Sequence, residues 1–295
     1  MIRNIKRFVR LLILYFKTRI INIKYKAPRV KDDLETLAKI IEEKKSLARF
    51  GDGEIALMNM QDIKFQKADL NLGERLREVL ENEKEDLLVG LPNIFTLKSM
   101  RMLTFESKLF WQHELIDRRN IWYSVPKNRD YYDACVTRPY IRYENKNHSK
   151  KIFEGLKMIW KDKEILLVEG EYSRLGVGND LFSQAKSLKR ILCPAQDAYE
   201  KYDDILLQIL KADKTNLILI SLGPTATILS YDLCGQGYQA IDLGHIDLEY
   251  EWFLKKTLER VPIQNKLINE LEEQGAISVR VNDEYEKQIV ARIVK

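Results

Sequence analysis

Gly51-Asp52-Gly53-Glu54, with Arg49 just upstream, is the most chemically suggestive run in this 295-residue chain. Two carboxylates at i and i+2 flanked by glycines face the same way on an extended or turning backbone. In a helix they diverge by about 200°. On a thin loop such a pair suits a hard divalent cation, Mn²⁺ or Mg²⁺, that substrate phosphates help to hold. An Asp/Gly-rich surface turn accounts for the same residues without any ligand.

Three further polar clusters stand beyond apolar runs. Glu169–Asp180 contains Arg174, which suits a phosphate or carboxylate, and Gly176, Gly178 and Asn179, where a ligand can approach the backbone. It lacks the third glycine of G-x-G-x-x-G and the G-K-[ST] of a P-loop, so neither classical nucleotide loop is present. A βα loop capped by Asn179 or Asp180 explains it equally well. Ser221-Leu222-Gly223-Pro224-Thr225-Ala226-Thr227 reads as a strand turning into a helix whose free N–H groups suit an anion, with Ser221, Gly223 and Thr225 adding donors and access. Asp242–Glu251 places His245 among carboxylates, a setting for metal ligation or proton transfer, and an imidazole would tilt the cation toward Mn²⁺. The turn Thr137-Arg138-Pro139-Tyr140 lies among tyrosines that suit either stacking on a sugar or base, or packing of the loop.

The elements that must position these clusters alternate strand and helix. Strands are expected at Leu47–Phe50, Leu87–Gly90, Ile121–Val125, Ile165–Val168, Ile191–Cys193, Asn216–Leu222 and Gln239–Leu243. Helices are expected at Asp32–Lys45, from Ile55, at Thr104–Asp117, Asn179–Ser187, Tyr199–Lys211 and Thr225–Cys234. That alternation predicts an α/β fold, a Rossmann-like doubly wound and mainly parallel sheet covered on both faces, with ligands at the carboxyl ends of the strands. No internal repeat or Pro/Gly-rich linker divides it. The expected organisation is a basic amphipathic segment, residues 1–30, followed by one domain over 31–295.

Composition narrows the function classes. The chain is 45% apolar and 32% charged, as expected of a folded globular protein. Its net charge of +5 is local. Residues 1–30 carry nine Lys/Arg and no Asp/Glu, leaving 40 basic against 44 acidic side chains in the remainder, a balance of −4. Spread-out nucleic-acid binding is therefore not indicated. The N-terminal segment reads as a basic amphipathic helix that lies on an anionic cytoplasmic membrane surface or packs against protein. Its longest apolar run, Leu11–Phe16, is too short to span a bilayer, and no small-residue cleavage site follows. Three scattered cysteines, Cys135, Cys193 and Cys234, suit a reducing cytoplasm rather than a disulfide or zinc framework.

In this order the four motifs, Arg49-Phe50-Gly51-Asp52-Gly53-Glu54, Ser173–Asp180, Ser221–Thr227 and Gly244–Trp252, resemble the GT-D family of glycosyltransferases, formerly DUF1792. The likeness runs from about residue 33 to 257 and leaves the basic segment outside. It implies a Rossmann-like fold distinct from the GT-A and GT-B arrangements, a UDP-sugar donor, and a D-x-E motif that binds a divalent cation, typically Mn²⁺. Asp52 and Glu54 match that motif. Members glycosylate bacterial surface polymers, including serine-rich repeat adhesins of Gram-positive bacteria. The expectation is a cytoplasmic, metal-dependent transferase, working at the inner face of the membrane, that moves a hexose such as glucose from UDP to a surface glycoprotein or polysaccharide. Metal ligands are expected in Asp52, Glu54 and His245, and donor contacts in Arg49, Gly51, Arg174, Gly176, Gly178, Asn179, Ser221, Gly223 and Thr225. Asp247 and Glu249 are the candidates for the carboxylate that activates the acceptor or shields the oxocarbenium-like centre. A metal-dependent phosphohydrolase of nucleotide or sugar phosphates, and a non-catalytic membrane-docked partner of another transferase, are the competing readings.

Overall fold

The computed structural model describes residues 2–267 and 283–293, with the side chains of residues 1–8 and Leu11 outside that set. Nine strands form one parallel sheet: β1 (Arg29–Val30), β2 (Ser46–Arg49), β3 (Leu87–Leu91), β4 (Asp130–Asp133), β5 (Glu164–Gly170), β6 (Ser187–Cys193), β7 (Leu217–Ser221), β8 (Ala240–Asp242) and β9 (Ile289–Arg292). Their spatial order is β1-β4-β3-β2-β8-β7-β5-β6-β9. The chain builds outward from β2 through β3 and β4, and outward the other way from β5 to β6. It then returns to insert β7 and β8 between β5 and β2.

Alternation along each strand divides the core into two layers. Leu47, Leu88, Ile165, Leu167, Leu217, Leu219 and Ile241 point to one face. There they meet Leu37 and Ile40 of the helix Asp33–Glu42, Phe153 and Trp160 of the helix Lys146–Trp160, and Trp252 of the helix Ile246–Lys255. Ala48 and Val89 point to the other face, as do Leu166, Val168, Ile218, Ile220 and Ala240. The helix Pro224–Gly235 joins both halves of that second layer, with Ile228 and Tyr231 on one side and Ala226, Leu229 and Leu233 on the other. Buried on both faces, these strands read as continuous apolar runs.

Three expectations are corrected. Ile121–Val125 is not a strand: a short helix, Arg119–Trp122, buries Trp122 there, and the strand of this region is β4, eight residues after Trp122. Asn179–Ser187 forms turns rather than a helix: Ser183 N bonds to Asp180 O and Ala185 N to Phe182 O, Trp160 Nε1 takes the Leu181 carbonyl at 2.8 Å, Lys186 N bonds to Lys163 O, and β6 begins at Ser187. Asp52–Met58 is helical from its first acidic residue, so Gly51-Asp52-Gly53-Glu54 is a helix start and not an extended loop. Elsewhere the local signals hold. Asp32 and Glu35 form a reciprocal capping box on Asp33–Glu42, and Thr104 caps Phe105–Asp117.

Candidate functional site

The four polar clusters leave four strands that are consecutive in the sheet, β2, β8, β7 and β5. Because all four are parallel, the clusters emerge at one edge, the carboxyl ends where a doubly wound sheet opens its crevice.

Arg49 organises the centre of that edge. Its Nε donates to Asp242 O at 2.8 Å, Nη2 to Asp242 Oδ1 at 2.8 Å, and Nη1 to Ala134 O at 3.0 Å. The ends of β2 and β8 and the turn after β4 are thereby tied together. Asp242, almost fully buried, also accepts from the Gly244 amide at 3.0 Å. Burial pushes its carboxyl up, and Arg49 partly offsets that. Thr227 Oγ1 closes the knot by donating to Arg49 O at 2.8 Å. Arg49 is therefore a positioning residue rather than a group presented to a donor. Gly244 has φ +49°, and a Cβ there would stand 2.0 Å from Arg49 Nη2, so no other residue fits beside the guanidinium.

Asp52 is the first residue of its helix and half-buried, and no described group donates a hydrogen bond to its carboxylate. Glu54 turns back, its Oε2 accepting from the Gly51 amide at 2.7 Å. Desolvation, aided by the charge on Asp242, lifts the Glu54 carboxyl to about 7. The helix start thus carries one uncommitted carboxylate and one under-compensated carboxyl. Among the described residues no three His, Cys, Asp or Glu side chains gather around a metal-sized space, so His245 does not join Asp52 and Glu54 as a third ligand. It sits half-buried at the N-cap of Ile246–Lys255. A donor set of two carboxylates suits a hard cation whose remaining ligands are phosphate and water oxygens, and it does not favour Mn²⁺ over Mg²⁺.

The carboxylates of the β8 loop are engaged in holding loops. Asp247, almost fully buried, accepts from the Gly176 amide and Asn179 Nδ2 at 2.8 Å each and pairs with Lys266 Nζ at 2.6 Å. Glu249 Oε2 receives the amides of Tyr140 and Ile141 at 2.9 Å each, with Arg138 Nε 3.8 Å from Oε1. Glu251 shares Asn179 and Lys266. Instead of facing an acceptor as expected, Asp247 and Glu249 each have one oxygen holding two amide donors and are almost fully buried, so in this structure they brace loops and have little access to an acceptor hydroxyl. Asn179, likewise, braces this loop through both ends of its amide, its Oδ1 accepting from Leu181 N at 3.0 Å.

Arg174 is also not presented to solvent. It is buried with φ +49°, its guanidinium over the Tyr285 ring at 4.7 Å, beside Arg190 at 4.8 Å on the same ring. Arg190 pairs with fully buried Glu169, whose other oxygen accepts from Leu175 N at 2.8 Å. Gly176 at φ +74° leaves room for Phe182, against which a Cβ would stand at 2.5 Å, whereas Gly178 at φ +84° has open space around it. Of the expected donor contacts in this loop, Gly178 is the one left bare.

At the β7 end, Ser221 Oγ donates to Gly244 O at 2.8 Å and is half-buried. Gly223, φ +53°, permits Phe65 to lie against it, a Cβ meeting Phe65 Cε2 at 2.6 Å. Thr225 is fully buried, and its hydroxyl has no hydrogen-bond partner among the described residues. Tyr131, Tyr140 and Tyr143 are buried, so the tyrosine-rich region packs the core rather than offering a stacking surface. Asp242 and Glu169 stand at the heads of their clusters in the sequence, each after an apolar run, but neither was assigned a role there, and Lys266 and Arg190 carried no signal.

Comparison with known proteins agrees with this geometry. Residues 47–271 match the family model described as "Glycosyltransferase GT-D fold". The chain is 40% identical over 267 residues to a protein named glycosyltransferase GlyD from Streptococcus pneumoniae, covering 90% of this chain and 33% of that protein. It is 38% identical over 270 residues to a probable glycosyl transferase, Gly, from Streptococcus gordonii, covering 88% of this chain and 38% of the relative. The chain thus spans about a third of the length of these curated relatives. Among solved structures it superimposes with a TM-score of 0.89 and 39% identity on a domain of unknown function 1792 described as having a distinct glycosyltransferase fold, covering 94% of this chain and 99% of that one. A second, described as a new glycosyltransferase (DUF1792) from Streptococcus sanguinis, gives 0.86 and 38%, covering 90% and 99%. With a family model across most of its length and relatives near 40% identity, the chain belongs to the GT-D-fold glycosyltransferase family.

Proposed function

We propose that the protein is a metal-dependent glycosyltransferase that uses a UDP-sugar and transfers a hexose, such as glucose, to a glycan acceptor of a surface glycoprotein or polysaccharide. The observation that carries this reading is the uncommitted Asp52 carboxylate at a helix start, at the β2 end of the edge formed by four consecutive parallel strand ends. Asp52 would hold the cation, Mn²⁺ or Mg²⁺, while Glu54, about 200° round the same helical turn and turned back to the Gly51 amide, would reach it only by giving up that hydrogen bond. When bound, the cation supplies charge neutralisation at the leaving diphosphate, a kind of contact whose loss costs about 3 kcal/mol of barrier. The chain's own part is to present backbone. The first N–H groups of the helices Asp52–Met58 and Pro224–Gly235 point to this edge and suit phosphate oxygens, and Gly178 gives a bare backbone beside them. Arg49, Asp242 and Asp247 hold those segments in register.

The test is UDP release from a panel of UDP-sugars, with Mn²⁺, Mg²⁺ or chelator, and with or without oligosaccharide acceptors. Cation-dependent release that rises with acceptor supports transfer. Release indifferent to every acceptor and equal for free nucleotides would instead establish a phosphohydrolase. Full release with chelator, or from Asp52→Asn, would remove the cation from the mechanism.

A further inference from the structure

Among its described side chains, the helix Ile2–Tyr25 is attached to the body along one face. Leu14 and Thr18 are buried and Ile21 packs on the core, while Asn22 Nδ2 donates to Phe95 O at 2.9 Å and Tyr123 Oη donates to Asn22 Oδ1. Arg10 Nη2 reaches His113 Nε2 at 3.0 Å. At about 100° per residue, Val9, Leu12, Ile13, Phe16, Ile20 and Ile23 fall in a stripe about 100° wide, directly opposite that attached face. All six are exposed, from 41% at Leu12 to 78% at Ile23. Arg10, Lys17 and Lys24 line one flank of the stripe and Arg19 the other, all exposed. The helix is therefore apolar on two opposite sides, and its outer side carries about 21 Å of unpartnered apolar surface bordered by cations.

We propose that this outer face docks on an anionic lipid bilayer, with the stripe entering the headgroup boundary and the flanking Lys and Arg side chains meeting lipid phosphates. The charge selects this occupant. A second copy of the helix would bring the same cations with no acidic side chain in residues 1–30 to meet them, whereas an anionic surface satisfies both flanks at once. Docking in the plane also suits a helix already fixed lengthwise to the body. Among the described residues no helix is long and apolar enough to cross a membrane. The inference stands or falls apart from glycosyl transfer, because it is read by binding alone.

The full chain should sediment with vesicles of equal parts phosphatidylglycerol and phosphatidylcholine, weakly with phosphatidylcholine alone, and less as salt rises. Phe16→Ser with Ile20→Ser should lower partitioning roughly tenfold or more. Lys17→Gln and Arg19→Gln should lower it roughly fivefold per cation. These side chains are exposed, so circular dichroism should be unchanged in the variants. Failure to bind anionic vesicles, binding unaltered by both pairs of substitutions, or light scattering showing a dimer abolished by Phe16→Ser would each overturn the proposal.

Discussion

Replacing Gly244 with alanine tests whether the Arg49–Asp242 knot organises the site edge. The new methyl would stand 2.0 Å from Arg49 Nη2, 2.9 Å from Cζ and 3.1 Å from Nη1, so the guanidinium has to leave. Its three hydrogen bonds, to Asp242 O, Asp242 Oδ1 and Ala134 O, go with it. A buried carboxylate stripped of its cation costs about 3–5 kcal/mol, and alanine at φ +49° adds about 1–2 kcal/mol. The expected loss is about 4–7 kcal/mol, comparable with the whole stability of many domains. Gly178→Ala is the internal control, since φ is +84° there but nothing lies within 4 Å of the new Cβ. It should cost about 1 kcal/mol from backbone strain alone. Arg49→Met completes a double-mutant cycle. Alone it should cost about 3–5 kcal/mol, and adding Gly244→Ala to it only about 1–2 kcal/mol, a coupling of about 3–5 kcal/mol. Urea unfolding, compared at constant slope, reads all four proteins. If Gly244→Ala costs no more than Gly178→Ala, or if the two changes at positions 49 and 244 add, the knot is not what holds this edge.

Three other outcomes follow from the geometry. The Glu54 carboxyl, at about 7 when folded against an ordinary value of 4.5, binds its proton more tightly in the native state, so stability is full below about pH 4.5 and falls as pH rises to 7. Allowing for solvent at this half-buried group, the loss is on the order of 2 kcal/mol, and Glu54→Gln should remove it from a pH series of unfolding midpoints. Arg190→Met should destabilise by about 3–5 kcal/mol at neutral pH by leaving Glu169 buried and unpaired, and by less in acid, where Glu169 takes up a proton; equal cost at both pH values would contradict the pairing. Glu249→Gln should loosen the Tyr140–Ile141 turn, seen as faster amide exchange at those two residues, while the sheet stays protected.

The parallel sheet and the polar strand ends were legible because they depend on local pattern: apolar runs of strand length, caps such as Asp32 and Thr104 before helices, and glycine or proline at the turns. Legibility stopped where a side chain chose between a ligand and the protein itself. Arg49 and Arg174 look alike in sequence, each a cation beside glycines, and both turn inward, one to Asp242 and the other beneath Tyr285, more than a hundred residues away in the chain. The acidic pair was misplaced for a local reason. Gly51-Asp52-Gly53-Glu54 contains two glycines, which argue for a loop, yet Glu54 at the third helical position satisfies the Gly51 amide and lets the helix start at Asp52. The Asn179–Ser187 segment has helical spacing but is tied to distant groups, Asn179 to Asp247 and Glu251, Leu181 O to Trp160 and Gln184 O to Asp162 N, contacts invisible to any local window.

Asp52 and Asp247 separate function from scaffolding most sharply, because their substitutions should fail in opposite ways. Both are aspartates in the first turn of a helix at the carboxyl edge of the sheet. Asp247 holds an ammonium, a backbone amide and a side-chain amide while almost fully buried, whereas Asp52 is half-buried and accepts no hydrogen bond from the described residues. Asp247→Asn keeps the shape but withdraws the charge facing Lys266, so it should lower unfolding stability by about 2–3 kcal/mol. The fraction still folded should keep its rate of UDP release and the pH profile of that rate. Asp52→Asn removes a charge to which no described group donates a hydrogen bond, so that only its small favourable effect at the helix start is lost. Its stability should stay within about 0.5 kcal/mol of the parent, while UDP release falls roughly a hundredfold or more. A pH–rate profile that loses its acidic, rising limb in Asp247→Asn would make Asp247 a catalytic base after all. Stability lost in Asp52→Asn, with release intact, would make the acidic pair an ordinary helix start.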